Sequence, residues 1–159
     1  MDVHLAIASK RDERRYSARP IPAEVERRIL DAGRLAGSAS NRQPWEFVVV
    51  SDPTTLAETV YAPQNLLDAT LVVALVGRGG IDFGRAAQNM LLAAWGDGVV
   101  SCPNGIKDTA AAEAILGGPP ALILSFGYPA AERNPAAYTA EEWSARANRK
   151  PLDELVRRI

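Results

Sequence analysis

Leu71-Val72-Val73-Ala74-Leu75-Val76 is an unbroken apolar run. It is strand length, far short of the ~20 residues of a membrane-spanning helix. An unbroken run, rather than an alternating one, is the pattern of a strand covered on both faces. Phe47 to Val50 and Ala121 to Gly127 read as further strands. Val99 to Cys102 reads as a brief one leading into a turn at Pro103-Asn104-Gly105.

Helical spacing fills the intervals. Val3 to about Arg11 reads as a short helix. Val25, Ile29, Ala32 and Ala36 give one apolar face to a helix that Pro22 starts and Gly37 ends, with Glu24 placed to pair with Arg28. Asp52-Pro53 starts a short helix carrying Leu56 and Val60, which Pro63 breaks. Phe83 to Asp97, with Asp82 as its N-cap, is apolar nearly all round, as expected of a central helix or one buried against a second subunit. Asp108 caps a helix running to Leu116, and Thr139-Ala140-Glu141-Glu142 fits a capping box. Leu152, Leu155, Val156 and Ile159 form a last amphipathic turn or two, expected to dock on the chain's own body or on a partner.

A chain of 159 residues reads as one domain, residues 1–159, which buries roughly 70% of its unfolded surface without disulfides or metal. A net charge of −1 gives no reason to expect nucleic acid or an anionic membrane as partner. Cys102 is the only cysteine, and Asp2, Lys10, Arg11 and Asp12 interrupt any signal-like apolar stretch, so the expected location is cytoplasmic.

Two stretches carry candidate binding chemistry. In Gly37-Ser38-Ala39-Ser40-Asn41-Arg42-Gln43-Pro44-Trp45, small residues admit a ligand close to backbone N–H groups. Asn41 and Gln43 add donors and acceptors suited to a flat polar ring edge. Lys10 to Arg19 holds five basic and two acidic side chains, which reads either as a solvated surface or as a phosphate cradle. Gly77-Arg78-Gly79-Gly80 follows a strand, but a dinucleotide fingerprint would need glycine where Asp82 stands. His4 is the only histidine, so Ser38, Ser40 and Cys102 have no imidazole base suited to nucleophilic catalysis, and no cluster is suited to a metal. With no catalytic side chain to name, the chemistry is expected to be carried by a cofactor.

Six motifs, taken together, resemble the FMN-dependent nitroreductase family in its short form. They are Lys10-Arg11-x-x-Arg14-Arg15-Tyr16 with Arg19-Pro20-Ile21-Pro22; Gly37-Ser38-x-x-Asn41-Arg42-Gln43-Pro44-Trp45; Asp82-x-Gly84-x-Ala86-Ala87-Gln88-Asn89; Ser101-Cys102-Pro103-Asn104-Gly105-Ile106; Phe126-Gly127-Tyr128-Pro129; and Arg149-Lys150-Pro151-Leu152. The resemblance implies an α+β fold, a central mixed sheet flanked by helices, in an intertwined homodimer with two flavin sites. It implies FMN as cofactor, NADH or NADPH as donor and a ping-pong transfer to a nitroaromatic, quinone or similar small-molecule acceptor. Lys10, Arg11, Asp12 and Arg14, with Arg149, would face the phosphate and ribityl chain. Gly37, Ser38, Ala39, Asn41 and Gln43 would reach the flavin, with Gly37 to Asn41 serving the partner subunit's flavin and Pro44-Trp45 anchoring the loop to its own strand. Asn104 and Gly105 would lie against the ring.

Two positions depart from the family pattern. The phosphate motif usually reads Arg-x-Ser-x-Arg/Lys, and Asp12 stands at the serine. A carboxylate ~4 Å from a phosphate charge costs on the order of 4 kcal/mol at an effective dielectric of about 20, unless it bridges Arg11, Arg14 or Arg15. Longer members insert a helical segment after the second strand, where only Gly77 to Ile81 stands here. These departures keep a second reading open: a flavin- or deazaflavin-binding module with little or no redox turnover.

Overall fold

The computed structural model describes residues 1–78 and 80–159; Gly79, in the glycine-rich connection weighed above, lies outside the described residues. In chain order the helices are α1 (Val3–Ser9), α2 (Ala23–Arg34), α3 (Thr54–Ala57), α4 (Gln64–Leu67), α5 (Ile81–Gly96), α6 (Thr109–Leu116), α7 (Ala140–Arg146) and α8 (Leu152–Leu155). The strands are β1 (Glu46–Val49), β2 (Leu71–Val76), β3 (Val100–Asn104) and β4 (Pro120–Gly127). The chain divides into two compact units, Arg11–Arg133 and a terminal unit of Met1–Lys10 with Asn134–Ile159.

In the larger unit the strands form one sheet in the order β1-β2-β4-β3. Every pairing of these strands is antiparallel. Among the described residues, the parallel component of the expected mixed sheet is a bridge from Asp12 to Ser101 on β3. All six residues of β2 are buried, because the strand is covered on both faces. Leu71, Val73 and Leu75 pack with Leu124 and Phe126 against α2 and α5. Val72, Ala74 and Val76 pack with Ile123 against Leu56, Leu66 and Ala112 of α3, α4 and α6. Each large apolar side chain buried this way contributes roughly 1.5–3 kcal/mol.

Helices α2 and α5 approach closely through Gly33, where an added Cβ would lie 2.8 Å from Met90 Sδ. Arg28 pairs with Asp97 through two bonds of 2.9 Å rather than with Glu24 on its own helix. Four local expectations also shift. Helix α3 stops at Ala57, so Val60 lies beyond it and bridges Ile106. Helix α2 ends with Leu35 as C-cap in a right-handed conformation, so Gly37 is not its stop. Helix α5 begins at Ile81 with Gly80 as N-cap, so Asp82 sits in the first turn and does not cap the helix. Strand β3 runs through Pro103 to Asn104. It lies at the sheet edge, where a proline without an N–H is tolerated.

In the terminal unit, α1 packs on α7. Asp2 caps α1 by accepting from the amides of His4 and Leu5. The capping box at Thr139 is complete, with Glu142 N–H donating to Thr139 Oγ1 and Thr139 N–H to Glu142. Trp143 Nε1 donates to Pro135 O at 2.8 Å and the indole meets Tyr138 edge-on. Leu152, Leu155, Val156 and Ile159 are exposed. No described helix is long and apolar enough to cross a membrane.

Candidate functional site

The basic segment takes its path from the free edge of β3, whose outward backbone groups need partners. Asp12 bridges Ser101, and Glu13 N–H donates to Ser101 O at 3.2 Å. Further on, Tyr16 bridges Pro129, and Ser17 N–H donates to Tyr128 O at 2.8 Å. Glu13 neutralises part of the segment by pairing with Arg15 and Arg133. Burial alone would raise the Glu13 carboxyl, but the hydrogen bond and charge of Arg133, with Arg15 beyond, hold it below the usual carboxylate range. Arg14 is exposed. Lys10 closes α1 in the terminal unit, its N–H donating to Ala6 O at 3.0 Å. Arg149 stands exposed between α7 and α8 of that unit, after Asn148 at φ 49°.

Where β3 ends, its polar side chains turn inward. Asn104 is 6% exposed. Its Nδ2, with two hydrogens to share, lies 3.0 Å from Cys102 O, 3.3 Å from Ile123 O and 3.0 Å from Ser125 Oγ. Ser125 Oγ donates to Cys102 O at 3.2 Å, so its contact with the Tyr16 hydroxyl at 2.9 Å has the phenol as donor. Burial pushes the Tyr16 phenol above its ordinary value, against the lowering effect of that hydrogen bond. Asn65, on α4, donates from Nδ2 to Asn104 Oδ1 at 3.0 Å. The Asn104 side chain is thus committed within the protein, and the outward surface here is Gly105. Gly105 accepts from Tyr61 N–H at 3.0 Å and lies under the Tyr61 ring, which would be 3.1 Å from an added Cβ.

The glycine- and amide-rich loop is built differently. It makes a 3-10 turn at Ala39–Asn41, with Ser40, Asn41 and Gln43 all at positive φ, 51°, 54° and 48°. Such conformations are sparsely populated by non-glycine residues. Contacts from α5 and from within the loop hold them. Ala39 N–H donates to Asp82 Oδ2 at 3.2 Å, and Gln43 N–H to Ser38 Oγ at 2.8 Å. Gly37 makes room for Arg85, whose Nη2 would lie 2.5 Å from an added Cβ. Gly77, at φ 136°, takes the Pro44 carbonyl 2.3 Å from where its Cβ would be. Trp45 stacks on Phe47 of β1 and meets Phe83 edge-on, so Pro44-Trp45 ties the loop to its own strand.

The loop leads into β1, whereas Arg11 to Arg14 and Asn104-Gly105 follow β3. These are the opposite edges of the sheet. Three strand spacings separate them, about 14 Å. The site residues expected in the larger unit are therefore gathered in two places, not one. Beside the loop, an open groove of about 630 Å³ runs between the end of α2 and α5, lined in part by Leu35, Gly37, Ile81, Arg85 and Gln88. Leu35 and Ile81 are 64% and 81% exposed. Asn65 was absent from the expected site, since nothing in a Pro-Gln-Asn-Leu stretch signals a partner thirty-nine residues away.

Known proteins resemble this arrangement in sequence and in fold. The model of the nitroreductase family matches residues 7–78. A candidate NADH dehydrogenase/NAD(P)H nitroreductase of Archaeoglobus fulgidus is 30% identical over 167 residues, covering 86% of this chain and 96% of that protein. The chain belongs to the nitroreductase family. An NADH dehydrogenase of Thermus thermophilus is 38% identical over 78 residues, 47% of this chain, and the match spans only 38% of the Thermus protein's length. The crystal structure of a candidate nitroreductase of Desulfovibrio desulfuricans in complex with FMN superimposes with a TM-score of 0.80 at 25% identity, covering 98% of this chain and 96% of that one. The nitroreductase fold here keeps a short connection from β2 to α5.

Proposed function

We propose that the protein is an FMN-dependent oxidoreductase that works as a homodimer. It takes electrons from NADH or NADPH and passes them to a small-molecule acceptor such as a nitroaromatic or a quinone. Family membership supports the reaction class. The single observation that carries the dimer is the division of the expected site between opposite edges of one sheet. A loop on the β1 edge and cations on the β3 edge serve one flavin if each chain lends its loop to the other. The apolar groove beside the loop, with Leu35 and Ile81 exposed, supplies surface for that exchange.

The residues present fit FMN. Arg11 and Arg14 are charge-assisted donors for a phosphate, and Lys10 and Arg149 of the terminal unit are of the same type. Gly105 is exposed, and the space its missing side chain leaves is taken by the Tyr61 ring. In the loop the main-chain N–H groups of Ala39, Asn41 and Gln43 are taken by Asp82 and Ser38, so the side-chain amides of Asn41 and Gln43 are the donors it offers the ring edge. Bound FMN supplies the storage and delivery of a hydride, so no titrating protein base is required. The chain's own work is to hold the phosphate, present donors to the ring and leave one ring face open. In this reading residues 1–159 act as one flavin-binding domain.

Titration of the purified protein with FMN tests this directly. The expected result is a bound-flavin absorbance spectrum with quenched fluorescence, on a dimer by light scattering. Stopped-flow mixing with NADH or NADPH should bleach the flavin. A protein that binds no FMN overturns the reading. One that binds FMN but is reduced by neither donor is the non-turnover module that Asp12 and the short connection leave open.

A further inference from the structure

We propose that Asn65 and Asn104 form a positioning pair that holds the Asn104-Gly105 backbone in place and thereby sets the redox potential of the flavin; the inference rests on the flavin reading above. The geometry gives the Asn104 amide a single orientation. Its Nδ2 faces the carbonyls of Cys102 and Ile123, which can only accept. The third neighbour, Ser125 Oγ, has its one proton directed at Cys102 O. A flipped amide would set Oδ1 against two carbonyl oxygens. Oδ1 must therefore point toward Asn65, and residue 65 must offer a donor. Asn65 Nδ2 does so at 3.0 Å.

The pair closes a clamp whose other half is backbone. Tyr61 N–H donates to Gly105 O at 3.0 Å, Val60 bridges Ile106, and Lys107 N–H donates to Thr59 O at 2.8 Å. Asn65 rides on α4, which is fastened to the core by the fully buried Leu66. Residues 59–65 thus grip residues 104–107 through main chain on one side and through one amide pair on the other. Binding shifts a flavin's potential from its free value by the ratio of its affinities in the reduced and oxidised forms. In the flavin reading a main-chain N–H of Asn104-Gly105 faces the ring, and a donor fixed there favours the reduced form, which carries more negative charge. Loosening the backbone that presents it lowers the potential.

The test is the midpoint potential of FMN bound to the dimer, measured spectroelectrochemically, in the native protein and in Asn65→Ala and Asn65→Asp. Asn65→Ala is expected to weaken affinity for reduced relative to oxidised FMN about tenfold, which for a two-electron couple is a fall of about 30 mV. Asn65→Asp is expected to lower it at least as far, since an isosteric carboxylate sets oxygen against oxygen. Ile29→Val, in the core on the opposite face of the sheet, serves as control: it lowers the melting temperature and leaves the potential where it was. If both Asn65 variants bind FMN at the native potential, the positioning pair is overturned while the flavin reading stands. A native protein that binds no FMN overturns both.

Discussion

The two edges of the sheet hold their polar residues by opposite means. Around β3, Asn104, Tyr16 and Ser125 of the neighbouring β4 are buried or half-buried, and their hydrogen bonds run inward to one another and to carbonyls. At the β1 edge, the loop from Gly37 to Gln43 is largely exposed, and three of its residues occupy the left-handed region. The first is stable because leaving any member unpaired in the interior is costly. The second has no interior. Its shape is imposed by Asp82 and Arg85 on α5, by Gly77 and by the Trp45 anchor. In the proposed site the β3 side is held by inward hydrogen bonds and the β1 side is braced from α5 and Gly77.

Asn104→Ala should show the largest effect. It strips partners from Asn65 and Ser125 and from two carbonyls, and is expected to cost on the order of 3 kcal/mol in a urea melt. A cost under 1 kcal/mol would mean that the β3 interior does not depend on that network.

Gly77→Ala tests the bracing of the loop. An added Cβ at φ 136° would collide with the Pro44 carbonyl, so a loss of about 2–3 kcal/mol is expected. FMN affinity should fall with it. Stability lost without any change in FMN affinity would uncouple the loop from binding.

Tyr16 carries a pH signature. Its folded pKa is raised above the unfolded value, so its contribution to stability is fully present below about pH 10. As pH climbs past the unfolded pKa, the unfolded chain ionises first and that contribution is lost, at up to about 1.4 kcal/mol per pH unit until the folded phenol also titrates. Tyr16→Phe should flatten this alkaline limb of a denaturation series; an unchanged limb would place the titration elsewhere.

Asp82→Asn should cost about 1 kcal/mol or less, because it weakens one charge-assisted bond to Ala39 and an exposed contact with Arg85. FMN binding is expected to suffer more than stability does. Ser40→Gly, the smallest effect and the one of opposite sign, should gain about 0.5 kcal/mol by relieving a left-handed serine, net of the added freedom in the unfolded chain. A loss there would mean that the loop is not strained.

Much of the fold is legible in the chain because it depends on neighbours in sequence. The apolar run Leu71–Val76 is buried on both faces, and Phe83, Ala86, Met90 and Ala94 line the buried side of α5. Asp2, Asp108 and Thr139 cap their own helices within a few residues. The order of the six motifs is legible too, and with it the family. The roles of individual polar side chains are less so. Asp82 looks like a helix cap, yet it accepts from Ala39, forty-three residues back. Gly37 looks like a helix stop, and what it provides is space for Arg85.

Periodicity and capping act over two to four residues, so the four strands and the longer helices are readable from the chain, whereas α4 after Pro63 and the end of α3 before Val60 are not. A carboxylate or an amide takes whichever partner the fold brings near, and that partner can lie anywhere in the chain. Tertiary structure alone therefore decided that Asn104 turns inward to Asn65 and that Gly77 lies against Pro44. It also decided that the expected binding residues of the larger unit stand on opposite edges of one sheet.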